Sequence, residues 1–172
     1  MTVLRPVALA LAAASAFSAP AYAIIGGSQV GPGDPIARQT VLLVTSDRNG
    51  CTGTLIGTRS VLTAAHCLQG SRSALVAFIR QGQIVAISPI VLASGHPGRQ
   101  RDDGQVAPID VAIATMRDRP PAGFVAGRLG ARDPAPGTRV TIAGFGRRAL
   151  NSFRSAGDLL KVDLPVIQQS VT

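Results

Sequence analysis

The sequence predicts an all-β fold, and three observations support this prediction. Turn-forming residues are abundant, with 19 glycines and 12 prolines in 172 residues. The apolar runs are short, rich in β-branched residues and bounded by Gly, Pro or Ser. No long stretch sustains helical periodicity. Because short strands separated by turns are typical of sandwiches and barrels, we expect a single all-β chain with a core of Val, Ile, Leu and Ala.

The first 23 residues are predicted to be a secretory signal peptide. Arg5 supplies a positive charge, residues 7–17 form an apolar segment, and Ala21-Tyr22-Ala23 is a small-x-small cleavage site. Cleavage after Ala23 would expose Ile24 as the mature amino terminus. No later apolar run approaches the length needed to cross a bilayer. We therefore expect a secreted protein, extracellular or periplasmic, with no membrane contact after cleavage.

The predicted strands of the first part of the chain are short and separated by turn residues. They follow a Gly/Pro-rich loop that extends to Pro35, and Pro89 is expected to interrupt the last of them. A single helical turn is predicted at 64–68. The predicted strands are residues 40–45, 51–56, 60–63, 74–79 and 83–92.

The rest of the chain contains a charged, Gly-rich loop at 95–105 and then further strands. The strand predicted at 109–115 is apolar except for Asp110. Residues 120–137 are rich in Pro and Gly and are the predicted connection between two lobes. Strands are also predicted at 139–144 and 159–166.

Export bears on the interpretation of the two cysteines, Cys51 and Cys67. Outside the cytosol such a pair is more typical of a disulfide than of a thiol pair or a metal site. A bridge that closes a loop of this size stabilises a chain by about 3 kcal/mol. The alternative is two free, buried cysteines.

The candidate catalytic residues are two histidines, His66 and His96, and one aspartate, Asp110. His66 adjoins Cys67, so a bridge there would help to hold its imidazole in one orientation, as a general base requires. Asp110 within an apolar strand is costly to bury without a partner, and an imidazole N–H is a suitable one. The alternative is an edge-strand aspartate that faces water, and Asp102 and Asp103 are rival carboxylates. His96 is expected to be an exposed loop residue.

No cofactor or metal is expected, because two histidines so far apart without a nearby carboxylate pattern make a poor zinc site. The net charge of +8 comes almost entirely from arginine. The arginines are scattered, with Arg147-Arg148 as the one adjacent pair, and no aromatic residues alternate with them. We therefore expect a solvated surface and no nucleic-acid partner.

Five segments resemble the trypsin/chymotrypsin-like serine protease family in order and spacing. They are IIGG at 24–27, CTGTLI at 51–56, TAAHC at 63–67, IDVAI at 109–113 and GFG at 144–146. The resemblance implies a double Greek-key β-barrel fold with the first barrel complete and the second partial. The implied peptidase domain is 24–172, with the first barrel at 24–119, a connection at 120–137 and an incomplete second barrel at 138–172.

The resemblance also implies the roles of the site residues. His66 would be the general base and Asp110 its orienting carboxylate, the family's disulfide would join Cys51 to Cys67, and Ile24 would begin the mature chain. The partner would be a polypeptide substrate, while substrate preference and oligomeric state stay open.

The expected nucleophile is the element that these 172 residues lack. Ser152, Ser155 and Ser170 follow Asp110, but none is flanked by glycines as in the family's serine motif. We therefore expect a chain that stops before the catalytic serine, is inactive as it stands, and is poorly soluble or only partly folded because strand edges are open. The alternatives are a non-catalytic secreted pseudoprotease that acts as a binding module, or a gene fragment.

Overall fold

The computed structural model describes residues 24, 27–47, 50–96, 99–100, 106–107, 109–145 and 158–167. The predicted signal peptide lies outside the described residues. So do residues 25–26, the loop carboxylates Asp102 and Asp103, the Arg147-Arg148 pair, Gly146 and the serines Ser152, Ser155 and Ser170. Within the described ranges, no helix is long and apolar enough to cross a membrane.

The regular secondary structure of the described chain is almost entirely β-strand. One short helix, α1, and one 3-10 turn interrupt the strands. The elements are β1 Ser28–Gln29, α1 Pro35–Gln39, β2 Thr40–Thr45, β3 Gly50–Leu55, β4 Ser60–Thr63, the 3-10 turn Ala65–Cys67, β5 Ala74–Arg80, β6 Gln83–Gly95, β7 Arg99–Gln100, β8 Val106–Ala107, β9 Ala112–Met116, β10 Arg139–Gly144 and β11 Leu160–Pro165.

Six strands close into an antiparallel barrel in the order β2-β3-β4-β9-β6-β5. Alternate residues of each strand point inward, as the two-residue period of a β-strand requires. At Gly53 an added Cβ would lie 2.5 Å from side-chain carbons of both Leu43 and Val61, so no larger residue fits there. The buried cluster inside the barrel consists of Val41, Leu43, Leu55, Val61, Val76, Phe78, Ala114 and Met116.

A smaller three-stranded sheet, β1-β11-β10, lies beside the barrel. The Phe145 N–H, just after β10, donates to Thr52 Oγ1 on β3 at 2.9 Å and so joins this sheet to the barrel. The closed barrel and the partial second sheet confirm the predicted fold class. Because β1 pairs with β11, residues 28–29 belong to the smaller sheet and not to the barrel. The division at 120–137 stays a prediction.

The structure differs from the predicted elements at Pro89 and at residues 35–39. Pro89 does not interrupt its strand, since β6 continues through it to Gly95. The Pro89 carbonyl accepts the Arg117 N–H at 2.8 Å, and the register of β6 against β9 shifts just after the proline, between Ile90 and Leu92. Helix α1 was missed, although Asp34-Pro35 is a strong helix start: Asp34 Oδ1 accepts the Ile36 N–H at 2.9 Å.

An ion pair between Asp34 and Lys161 connects α1 to β11. The hydrogen bond from the Lys161 ammonium, followed by the bond from the Ile36 backbone N–H, lowers the pKa of Asp34 below its ordinary 3.8. The same hydrogen bond to Asp34 raises the pKa of Lys161 above its ordinary 10.5. The pair thus fixes the smaller sheet against the segment that leads into the barrel.

Asp34→Asn is expected to lower stability at neutral pH, because asparagine still caps α1 but removes the negative charge. The lowered pKa of Asp34 contributes stability that is lost as pH falls below 3.8 through the folded value. The raised pKa of Lys161 contributes stability that is lost as pH rises above 10.5 through the folded value. Urea midpoints across pH should therefore converge for parent and variant at both extremes. Asp133→Asn, at an exposed position, is the matched control, and a pH-independent difference would contradict the expectation.

Candidate active site

The register of β4 against β9 brings His66 and Asp110 together. Thr63 pairs with Ala112 in this antiparallel ladder. His66 lies three residues beyond Thr63, and Asp110 lies two residues before Ala112. Both residues therefore emerge at the same end of the barrel although 44 positions separate them in the chain.

His66 occupies the 3-10 turn that follows β4. The turn is closed by N–H donation from Cys67 to the Ala64 carbonyl at 3.2 Å and from Leu68 to the Ala65 carbonyl at 3.0 Å. A disulfide joins Cys67 to Cys51 on β3, which confirms the predicted bridge. The backbone that carries His66 is thus attached to the barrel on both sides of the imidazole.

Asp110 contacts His66 through both carboxylate oxygens. Its Oδ2 lies 2.6 Å from His66 Nδ1, and its Oδ1 accepts the His66 backbone N–H at 2.9 Å. The backbone bond and then the imidazole bond lower the pKa of Asp110 below its ordinary 3.8. An ionised carboxylate on Nδ1 requires the Nδ1–H tautomer of a neutral imidazole, an assignment that follows from this geometry. The lone pair is then on Nε2, on the other side of the ring.

The predicted reason for the pairing was wrong, although the partner was right. Asp110 is not inside a strand, since β9 begins at Ala112. The side chains of His66 and Asp110 are 67% and 56% exposed. The carboxylate therefore faces solvent at the barrel end, where two N–H groups of one residue bind it, and burial plays little part.

His96 lies at the same end of the barrel, which the sequence did not indicate. Its N–H donates to the Val111 carbonyl at 2.7 Å, one position beyond the Gly95–Ala112 pair of β6 and β9. The residue is exposed, as predicted. Its placement depends on the length of β6, which extends to Gly95 although the strand was predicted to end at residue 92.

Ile24 is half-buried, and its carbonyl accepts the Gly27 N–H at 2.9 Å. Gly27 in turn lies next to β11, because a Cβ added there would be 3.0 Å from the Lys161 carbonyl oxygen. The structure thus places the predicted mature terminus beside the smaller sheet.

A closed barrel with an aspartate-bound histidine at one end is an arrangement used by serine peptidases. The model of the trypsin family matches residues 24–172. The chain therefore belongs to the trypsin family.

Solved structures with a similar fold include GrC and HL collagenase. GrC is 22% identical, with a TM-score of 0.62 over 83% of this chain and 65% of that one. HL collagenase is 19% identical, with a TM-score of 0.62 over 83% of this chain and 63% of that one. This chain thus spans less than two thirds of the length of either structure. No curated protein matches it.

Proposed function

We propose that this chain belongs to a secreted serine endopeptidase in which His66 is the general base and Asp110 orients it. The observation that carries the proposal is the double contact of Asp110 with the His66 imidazole and backbone, at 2.6 and 2.9 Å. A carboxylate that accepts both N–H groups fixes the ring's rotation and its tautomer together. That leaves the Nε2 lone pair available for a serine hydroxyl proton.

In the proposed mechanism, His66 Nε2 takes the proton of a serine hydroxyl while the serine oxygen attacks a peptide carbonyl. The imidazolium that results is stabilised by the negative charge of Asp110 on Nδ1–H. The same proton then passes from Nε2 to the leaving amine. Asp110 does not itself become protonated during this cycle.

The nucleophile is not among the residues that the structure describes. Ser152, Ser155 and Ser170 lack the flanking glycines whose backbone N–H groups would form an oxyanion hole. We propose that the serine and these donors come from other sequence, and that the 172-residue chain alone does not hydrolyse peptides. The division into 24–119, 120–137 and 138–172 is also part of this proposal, with residues 28–29 of the first segment pairing into the smaller sheet. The second candidate, a non-catalytic secreted binding module, is favoured by the same lack of a nucleophile.

A fluorophosphonate probe, which reacts with activated serines, is expected to leave the 172-residue chain unlabelled. Stoichiometric labelling would contradict the proposed inactivity. The chain should then be extended by the coding sequence that follows codon 172, read in all three frames. If an extended form contains a glycine-flanked serine, the probe should label it. Labelling that is lost in His66→Ala and retained in His96→Ala supports the peptidase. A downstream sequence with no such serine favours the binding module.

The orienting role of Asp110 can be measured in the chain as it stands. Long-range nitrogen–proton NMR spectra should show His66 protonated on Nδ1 in the neutral form. In Asp110→Asn the side-chain NH₂ can face Nδ1, so the proton should move to Nε2. Asp133→Asn is the control and should leave the tautomer unchanged. An Nε2–H tautomer in the parent chain would count against the proposed role.

We also propose that residues 1–23 direct export and that Ile24 is the mature amino terminus. Membership of the trypsin family and the Cys51–Cys67 bridge support an extracellular location. Sequencing of the exported product should begin at Ile24. Any other first residue would refute this assignment.

A further inference from the structure

A cavity of about 450 Å³ lies where the closed barrel meets the smaller sheet. Its walls come from the segment after β1, α1, the β5–β6 hairpin, the connection after β9 and described residues between β10 and β11. Small-molecule sites usually have volumes of about 300–1,000 Å³, so the cavity is large enough for a ligand. The described lining contains neither His66 nor Asp110, so a ligand here does not depend on the proposed peptidase activity.

The floor of the cavity is hydrocarbon. Ile79, Phe145 and Leu159 are buried in one apolar cluster, and Val30 packs against it. The half-buried ring of Phe124 also lines the cavity. Such a surface favours a ligand whose apolar part leaves water on binding. These side chains offer no hydrogen bond to the amides of a peptide, so a plain hydrocarbon body fits them better.

Two guanidinium groups, those of Arg38 and Arg80, also line the cavity. Arg38 Nε donates to the Gly123 carbonyl at 2.9 Å, and Arg80 Nη2 donates to the adjacent Ala122 carbonyl at 2.7 Å. Gly123 allows this approach, because a Cβ added there would lie 2.8 Å from Arg80 Nη2. Consecutive carbonyls thus bring two positive charges together. A guanidinium has five N–H donors, so one bond to a carbonyl leaves donors for an anion.

The charge of the lining favours an anionic ligand. The two guanidiniums face one carboxylate in the described lining, that of Asp158, which accepts Gln29 Nε2 at 3.3 Å. We propose that the cavity binds a small carboxylate with a hydrocarbon body, in the class of a medium-chain fatty acid. The carboxylate lies between Arg38 and Arg80, and the hydrocarbon body lies on the apolar floor.

The test is binding of octanoate to the isotope-labelled full chain, followed by NMR of the methyl groups. The signals of Val30, Ile79 and Leu159 should shift and saturate together, whereas those of Ile84 and Ile87, exposed on the barrel, should not. Acetate has the charge without the body, and 1-octanol has the body without the charge. Each should bind at least about 10-fold more weakly. Added salt should weaken octanoate binding, because it screens the exposed arginines.

Matched variants separate the two parts of the proposed site. Arg38→Gln removes one guanidinium and should weaken octanoate binding by about 3-fold to 10-fold. Arg128→Gln makes the same charge change at an exposed position outside the lining and should bind like the parent. Gly31 lines the cavity and an added Cβ there meets nothing within 4 Å, so Gly31→Leu should obstruct the hydrocarbon body. Gly33→Leu, equally open but outside the lining, should not.

Arg80→Gln should also weaken binding, but it removes a contact with the Phe124 ring, whose centroid is 5.7 Å from the guanidinium carbon. Arg38→Gln therefore decides the outcome if the Arg80 variant is unstable. The proposal is overturned if 1-octanol binds as tightly as octanoate or if no saturable shift is seen at the cavity methyl groups. Equal weakening by Arg38→Gln and Arg128→Gln would also overturn it.

Discussion

Replacing both Cys51 and Cys67 by alanine is expected to lower the free energy of unfolding by about 3 kcal/mol. The bridge closes a loop with a sequence separation of 16, and its removal gives the unfolded chain back the conformations that the loop forbids. It also joins β3 to the turn that carries His66. The same change should therefore loosen the imidazole and weaken its contact with Asp110.

Urea unfolding of the two chains measures this effect. The parent treated with reductant should approach the stability of the double variant, which should itself be insensitive to reductant. In the NMR experiment the double variant should show a smaller preference for the Nδ1–H tautomer of His66. A double variant as stable as the oxidised parent would show that the bridge contributes nothing to the barrel.

Phe78→Ala is expected to destabilise the barrel by about 3–5 kcal/mol, because a large buried ring leaves a cavity that the closed barrel cannot fill. The side chain of Phe78 is 1% exposed. Its ring meets that of Phe124 edge-on, with centroids 5.0 Å apart. Phe124 belongs to the connection after β9, so the substitution also removes one of the contacts that hold that connection against the barrel.

The matched control is Leu129→Ala in the same connection. Leu129 is 67% exposed, and its truncation should change stability by no more than about 0.5 kcal/mol. Urea unfolding followed by far-ultraviolet circular dichroism compares both variants with the parent. If both substitutions lower the free energy of unfolding equally, the barrel interior is not closely packed around Phe78.

Several strands could be predicted because they are short apolar runs with clear turn residues at their ends. The 40–45 and 60–63 predictions match β2 and β4 to the residue. β6 was harder, because a proline within a strand usually ends it and a bulge is set by the neighbouring strand rather than by local sequence. β1 has two residues, and its existence depends on pairing with β11, far along the chain.

In the site, too, some features can be predicted from local sequence and others depend on contacts between residues far apart in the chain. The resemblance singled out His66 and Asp110, but only the β4–β9 register explains their contact. The desolvation argument for Asp110 failed because the strand starts three residues later than predicted. The position of His96 depends on the three-dimensional path of β6, which spacing alone does not give.

The closure of the barrel has a consequence for how the molecule fluctuates. Within the barrel order every strand has a hydrogen-bonded neighbour on each side, whereas β10 and β1 form the outer strands of the smaller sheet. Amide hydrogens of β2 and β9 should therefore exchange with solvent only through global unfolding, while those of β10 exchange through local opening. His66 lies in the turn that follows β4, and Asp110 lies just before β9, so both are held by barrel strands. Their geometry should persist through local openings in which the smaller sheet detaches, so the contact between the imidazole and the carboxylate should not depend on that sheet.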